Sequence, residues 1–277
     1  MQILLSVILP ASNEAGYIGP CLTALFASHP VPGGAEVIVV ANGCTDDTAA
    51  RAQAFGPQAQ TAGWHLRVID RAQGGKIGAL NAGDRAAHGD MRAYLDADVI
   101  VSPGLMAQLA HALDQPTALY ASGRATIPRA QSAITRAYAR FWQTLPFARS
   151  IAPGYGLFAV NAAGRARWGD FPDIISDDTF ARLQFAPGER VSVPAPYHWP
   201  MIEGFAALVR VRRRQDAGVA QISALFPDIM AREGKTPLGL TGVIRRALRD
   251  PLGFATYAAV SLAVKLRRGG TDWTRGR

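Results

Sequence analysis

The first hundred residues repeat one arrangement: a short apolar run, a polar cluster, then a stretch with helical spacing. Residues 4–9 form a β-rich run closed by Pro10, and residues 14–28 follow with Ile18, Leu22, Leu25 and Phe26 at helical intervals. Residues 36–40 read as a second, buried strand. Thr45 suits the cap of a helix from Asp46 to about Phe55, with Asp46 and Asp47 at its positive N-terminus. Residues 65–69 are a third strand and 76–88 a helix; residues 91–95 are a fourth strand ending at Asp96, and 105–113 a further helix. Strands alternating with helices imply βαβ units and a mostly parallel sheet. Ligands of such sheets bind at the carboxyl ends of the strands. Residues 11–14, 42–47 and 96–98 therefore share one rim.

After about Pro128 the pattern changes. Residues 133–145 read as a helix carrying Tyr138, Phe141 and Trp142 and stopped by Pro146. Residues 154–161 read as a strand that opens with glycines, 180–185 as part of a short helix after Asp177-Asp178, and 191–193 as a strand. A basic helix covers 205–216, and two or three helices close the chain. There is no fixed-period repeat and no low-complexity linker. A length of 277 residues accommodates two units or one large α/β domain. One continuous domain with a C-terminal helical appendage fits the pattern.

Composition narrows the class. With 49% hydrophobic and 18% charged residues, the bulk of the chain has the makings of a packed core. Two cysteines, Cys21 and Cys44, exclude a disulfide framework and a four-cysteine zinc site. The net charge of +8 is uneven: residues 205–277 hold 14 Lys/Arg and 5 Asp/Glu, which leaves the first 204 residues about neutral. A basic C-terminal quarter points to an anionic partner, a membrane surface or a phosphorylated substrate, ahead of nucleic acid.

The N-terminus lacks the basic region and cleavage site of a signal peptide, so a first strand is expected there. The uncharged stretch 251–264 has fourteen residues, short of the ~20 that span a bilayer. It is bracketed by Arg245, Arg246 and Arg249 before and by Lys265, Arg267 and Arg268 after. Two readings stay open, a helix in the membrane interface and a core helix with solvated basic ends.

Several motifs carry chemistry. Asp96-Ala97-Asp98 sits in a strand-end turn, where two carboxylates can share a hard divalent cation with phosphate oxygens; solvated turn residues are the alternative. Asp177-Asp178 suits a general base for an acceptor hydroxyl, or a helix N-terminus with Ser176 as cap. Gly74-Gly75-Lys76 opens a helix and can meet a phosphate, although it is not a P-loop. Arg210, Arg213 and Arg214 share a helical face able to hold a diphosphate, or form a solvated basic face. No stacking aromatics are interleaved with them, which argues against nucleic acid. His198 is a candidate third metal or diphosphate contact, and Trp199 beside it either lines an acceptor pocket or packs.

In order, these motifs resemble family 2 glycosyltransferases of the GT-A type, over roughly three quarters of the chain from Leu5 to Gln215. The resemblance is carried by SVILPASNE at 6–14, VIVVANGCTDDT at 37–48, GGKIGALNAG at 74–83 and YLDADVIV at 94–101. It continues through GYGLFAVN at 154–161, SDDTF at 176–180 and RVRRRQ at 210–215. It implies a Rossmann-like GT-A sheet flanked by helices, with residues 1–127 binding the nucleotide-sugar and 128–216 the acceptor. Residues 217–277 are then a basic helical extension.

Residue by residue, Pro10, Ala11, Asn13 and Glu14 would line the nucleotide pocket. Asn42, preceded by Ala41, stands where the family usually has Asp, one of which meets the base. Lys76 would lie near the donor, and Asp96 would face ribose or sugar. Asp98 would bind Mg²⁺ or Mn²⁺, joined by Asp96 and His198. Asp178 matches the family's usual catalytic base, with Asp177 replacing a Glu. Arg213 and Arg214 match a basic motif in which Gln215 replaces the usual Trp. The implied activity is inverting, metal-dependent transfer from a nucleoside-diphosphate sugar to a hydroxyl; the basic tail and the short apolar helix point to a lipid-linked or membrane-proximal acceptor. The implied location is cytoplasmic, peripheral on the membrane. A non-catalytic sugar-nucleotide-binding protein and a nucleotidyltransferase are the competing functions; the latter needs a glycine-rich triphosphate loop that PASNE does not offer.

Overall fold

The computed structural model describes residues 4–234 and 238–266. Arg267 and Arg268 lie outside the described residues. The first half runs β1 (Leu5–Ala11), α1 (Ile18–Phe26), β2 (Ala35–Asn42), α2 (Thr48–Gln53), α3 (Gly56–Thr61), β3 (Trp64–Arg71), α4 (Lys76–Ala86), β4 (Met91–Leu95), β5 (Ile100–Val101) and α5 (Leu105–Leu113). The second half runs β6 (Tyr120–Thr126), α6 (Ala133–Trp142), β7 (Leu157–Val160), α7 (Ala162–Arg165), α8 (Asp177–Leu183), β8 (Arg190–His198), α9 (Phe205–Leu225), α10 (Pro227–Met230), α11 (Leu240–Arg249) and α12 (Pro251–Leu266).

The strands form one sheet in the order β3-β2-β1-β4-β7-β6-β8-β5. β3, β2, β1 and β4 are parallel throughout, as βαβ units require. β7 then runs antiparallel to both β4 and β6, and β5 antiparallel to β8, so the second half is mixed. β1 and β2 are buried along their whole length, which explains their unbroken apolar runs: helices cover both faces. β3 is the edge and alternates buried with exposed positions, carrying His65, Arg67, Asp70 and Arg71.

Alternation along β1 sends Leu5, Val7 and Leu9 into the layer with α1 and α5, and Ile8 into the opposite layer with Leu80, Tyr94 and Phe158. A separate cluster joins Tyr138 of α6, Leu208 and Val209 of α9 and Val260 of α12.

Several expectations shift. The helix expected from Asp46 begins at Thr48 with Asp47 at its cap, because the Thr45 N–H is held by Asn13 Oδ1 at 2.7 Å. That helix also ends before Gly56-Pro57, where α3 restarts. The strand expected over 154–161 is only Leu157–Val160, because Gly154 and Gly156 adopt φ of +80° and +75° and turn the chain. β6 escaped notice because YASGRAT carries small and polar residues rather than an apolar run. α9 runs on to Leu225, across the 216/217 division drawn on the sequence.

Candidate active site

The carboxyl ends of β1 and β4, the start of α4 and the N-terminus of α8 converge on one cleft, with Pro10, Lys76, Asp96, Asp177 and Asp178 in its lining. At its centre the Lys76 ammonium reaches Asp96 at 2.9 Å and Asp177 at 3.1 Å. Burial acts to lower the Lys76 pKa, but Asp177, Asp96 and Asp178 outweigh it and the net shift is upward. Lys76 is therefore a fixed cation. Two of its three N–H groups are directed at carboxylates.

Asp178 stands beside this pair in the first turn of α8, and its Oδ1 accepts the Thr179 N–H at 2.6 Å. Its carboxyl is pushed up to about 6, first by burial and then by the Asp177 charge, with Lys76 opposing both. A carboxylate with that poise is ionised at neutral pH yet basic enough to take a proton.

The loops that hold these groups are tied together locally. Asn42 is buried at the end of β2; its Nδ2 donates to the carbonyls of Ala11 at 2.9 Å and Val40 at 3.2 Å, and its Oδ1 accepts the Gly75 N–H at 3.0 Å. Gly75 has φ of +124°, which turns the chain into α4 and presents Lys76. Asn13, at φ of +52°, accepts the N–H groups of Thr45 and Asp46 through Oδ1. The Glu14 N–H donates to Thr48 Oγ1 at 2.8 Å. On the other side, the Gly156 carbonyl accepts the Asp96 N–H at 2.9 Å. A Cβ at Gly156 would come within 2.5 Å of Trp199, so the turn needs glycine for space as well as for φ.

Lys76, Asp96, Asp178 and Pro10 meet in the cleft, and Ala11, Asn13, Glu14 and Asn42 form the rim behind them. The Asn42 amide bonds the backbone of Ala11, Val40 and Gly75, so it organises the rim on which the expected base contact would lie. Asp96, Asp98 and His198 were expected to share a metal. Among the described residues no three His, Cys, Asp or Glu side chains gather as ligands, and Asp96 is engaged by Lys76. His198 ends β8 exposed, opposite Ile100, which places its backbone beside the residues that follow Asp98.

Arg213 and Arg214 stand on α9, outside the cleft lining. Gly218, one turn beyond Arg214, packs against Ser176, and Gln221 Oε1 accepts the Ile175 N–H at 2.9 Å. α9 thus braces the loop that leads into Asp177. Ser176 occupies the cap position of α8 without a side-chain capping bond. The sequence places Asp177 in the acidic pair with Asp178 and gives it no separate role; its ion pair with Lys76 comes from the structure. Leu80, Tyr94 and Phe158, also in the lining, were unmarked because they read as core.

The profile of Glycosyl transferase family 2 matches residues 6–166. No curated protein sequence matches the chain. Among solved structures, the chain is similar to the mannosyltransferase PcManGT from Pyrobaculum calidifontis in complex with GDP-Man and Mn²⁺, at 22% identity and a TM-score of 0.59, covering 97% of this chain and 77% of that one. It is also similar to S. aureus TarS 1–349 in complex with UDP, at 12% identity and a TM-score of 0.54, covering 99% and 95%. A mycobacterial protein matches at 23% identity and a TM-score of 0.51, covering 79% and 74%.

Proposed function

The chain belongs to glycosyl transferase family 2 and is a glycosyltransferase, and from that premise we propose that it moves a sugar from a nucleoside-diphosphate donor to an acceptor hydroxyl with inversion. The convergence of Lys76, Asp96, Asp177 and Asp178 on one cleft at the strand ends carries this reading.

Asp178 takes the proton of the acceptor hydroxyl, and its oxygen attacks the anomeric carbon from the face opposite the departing diphosphate. The configuration inverts through an oxocarbenium-like transition state. Asp177 and Asp96 hold Lys76 in place, and Lys76 brings positive charge to the donor side. Residues 1–127 serve the donor and 128–216 the acceptor.

The turn after β4 offers hard oxygen donors suited to a divalent cation held jointly with a nucleotide: Asp98 would hold it together with diphosphate oxygens, while Asp96 engages Lys76. Asp98, with His198 on the neighbouring strand, would hold Mg²⁺ or Mn²⁺, which when bound would supply charge neutralisation to the leaving nucleoside diphosphate. The structural neighbour PcManGT is in complex with GDP-Man and Mn²⁺, which supports a divalent cation beside the donor here.

The basic C-terminal quarter supports an acceptor that is lipid-linked or membrane-proximal, with the chain peripheral on the cytoplasmic face. A panel of nucleoside diphosphates and sugar nucleotides, each with and without Mn²⁺, tests the donor by thermal shift. One nucleotide is expected to raise the midpoint in a metal-dependent way and to be slowly hydrolysed. Binding without any turnover would favour a non-catalytic sugar-nucleotide-binding protein.

A further inference from the structure

α11 buries none of its residues. Leu240, Ile244 and Leu248 recur every four positions, so they form one stripe along it, and they are 76%, 49% and 78% exposed. α12 continues this character: Leu252, Leu262 and Leu266 face outward. Its other side is anchored to the body, where Tyr257 stacks on Tyr138 at 5.4 Å and Phe254 meets Phe141 at 5.6 Å. The core reading and the exposed reading of 251–264 thus apply to opposite faces of one helix.

The two helices are held rigidly. Asp250 between them pairs with Arg140 through two 2.8 Å bonds, and Arg246 Nε donates to the Thr144 carbonyl at 3.0 Å. Scattered exposed leucines are ordinary on protein surfaces, but a continuous outward-facing set is not. Between 240 and 266 there are four Lys/Arg and one Asp/Glu, and that acid is spent on Arg140. Arg245 and Arg249 flank the α11 stripe and are exposed. An apolar stripe bordered by arginines matches a bilayer interface with anionic headgroups, where leucines enter the acyl boundary and guanidinium groups meet phosphates. No helix among the described residues is long and apolar enough to cross a membrane, so this surface would lie on one.

We propose that α11, with the outward leucines of α12, is a docking surface for an anionic lipid bilayer. It rests on the reading of a membrane-proximal acceptor and deepens it by naming the face that meets lipid. Its position suits that role. Arg246 grips Thr144 two residues beyond Trp142, and Trp142 packs on Tyr155 at 5.4 Å and on Trp199 at 5.8 Å. Tyr155 lies between Gly154 and Gly156 of the cleft lining. The docking surface and the cleft are joined through the end of α6, so a hydroxyl presented at the bilayer surface would approach from this side.

The test is co-sedimentation of the full chain with vesicles of phosphatidylcholine alone and of phosphatidylcholine with phosphatidylglycerol. Wild type is expected to partition onto the anionic vesicles and to be released by salt. The triple variant Leu240→Ser/Ile244→Ser/Leu248→Ser should lose partitioning by at least ~10-fold, and Arg245→Gln/Arg249→Gln should lose the salt-sensitive part. Donor hydrolysis in solution should be unchanged in both, since none of these residues belongs to the cleft. A matching circular dichroism spectrum, with Leu252→Ser/Leu262→Ser as an independent second variant, separates lost docking from lost folding. If wild type ignores both vesicles while hydrolysing donor, the membrane-proximal reading falls and this surface with it. If wild type binds and the α11 and α12 variants bind equally well, this surface is overturned and that reading stands. A wild-type dimer that the triple variant converts to monomer, without vesicle binding, would make the face a contact between two copies and overturn the proposal.

Discussion

Lys76 Nζ lies 3.1 Å from Asp177 Oδ2, an ion pair with one partner almost wholly buried: the Asp177 side chain is 7% exposed and that of Lys76 37%. Removing the cation leaves a buried carboxylate uncompensated. Lys76→Met is expected to destabilise the protein by about 1–3 kcal/mol, below the range for a fully buried pair because water reaches Lys76. Urea unfolding measures it, and a change of less than a few tenths would show that the pair contributes nothing. Lys76 also opposes the rise in the Asp178 pKa, so the acid limb of any residual activity should move to higher pH in this variant.

Asp178 has a folded-state pKa raised to about 6, so its ionised form is disfavoured in the native protein. Transfer should fall as pH drops through about 6, where the base becomes protonated. Asp178→Asn is expected to lower kcat by at least ~10³-fold with donor affinity retained. The charge at Asp178 costs stability above its folded pKa and nothing below its unfolded one. Asn should therefore raise Tm at neutral pH, with the advantage shrinking as pH falls from about 6 toward the ordinary carboxylate range. A variant no more stable than wild type at pH 7.5 would contradict the burial of that charge.

Asp98, in the turn that follows β4, is the cation ligand proposed above. Asp98→Ala should abolish the Mn²⁺-dependent part of the nucleotide thermal shift while the metal-free shift by the same nucleotide persists. Calorimetry with the nucleoside diphosphate checks it. Unchanged metal dependence would move the cation elsewhere.

Asn42→Asp tests the role of the amide at a position where the family resemblance leads one to expect an acid. The substitution would point a carboxylate oxygen at the Ala11 and Val40 carbonyls that Nδ2 now serves. The expected loss is about 2–4 kcal/mol, from two donated bonds and a buried charge. Because Oδ1 also holds Gly75, donor KM should rise through displacement of Lys76. A stable Asp variant with wild-type KM would refute the role given to Asn42.

Much of the donor side was legible from local pattern. β1, β2 and β4 are short apolar runs ended by polar clusters, and parallel pairing carries those clusters to a common edge whatever the details of packing. Lys76 follows two glycines and Asp96 ends a strand, so both were found. The acceptor side was less legible. β6 has no apolar run, β8 contains two prolines and reads only as a fragment, and Gly154 and Gly156 look like a strand opening until their positive φ values are seen.

By itself the sequence determined the fold class, the rim and the acidic pairs, because strand period, helix period and strand-end chemistry are properties of neighbours along the chain. Only the tertiary structure decided how the charges are apportioned. Lys76 and Asp96 are 20 residues apart and Asp177 a further 81 along the chain, so no spacing rule reveals that one ammonium serves both acids. Tertiary packing likewise turned Asn42 inward and set the leucines of α11 and α12 outward. A helix's periodicity shows that it has two faces, and only the elements packed against it determine which one water or lipid meets.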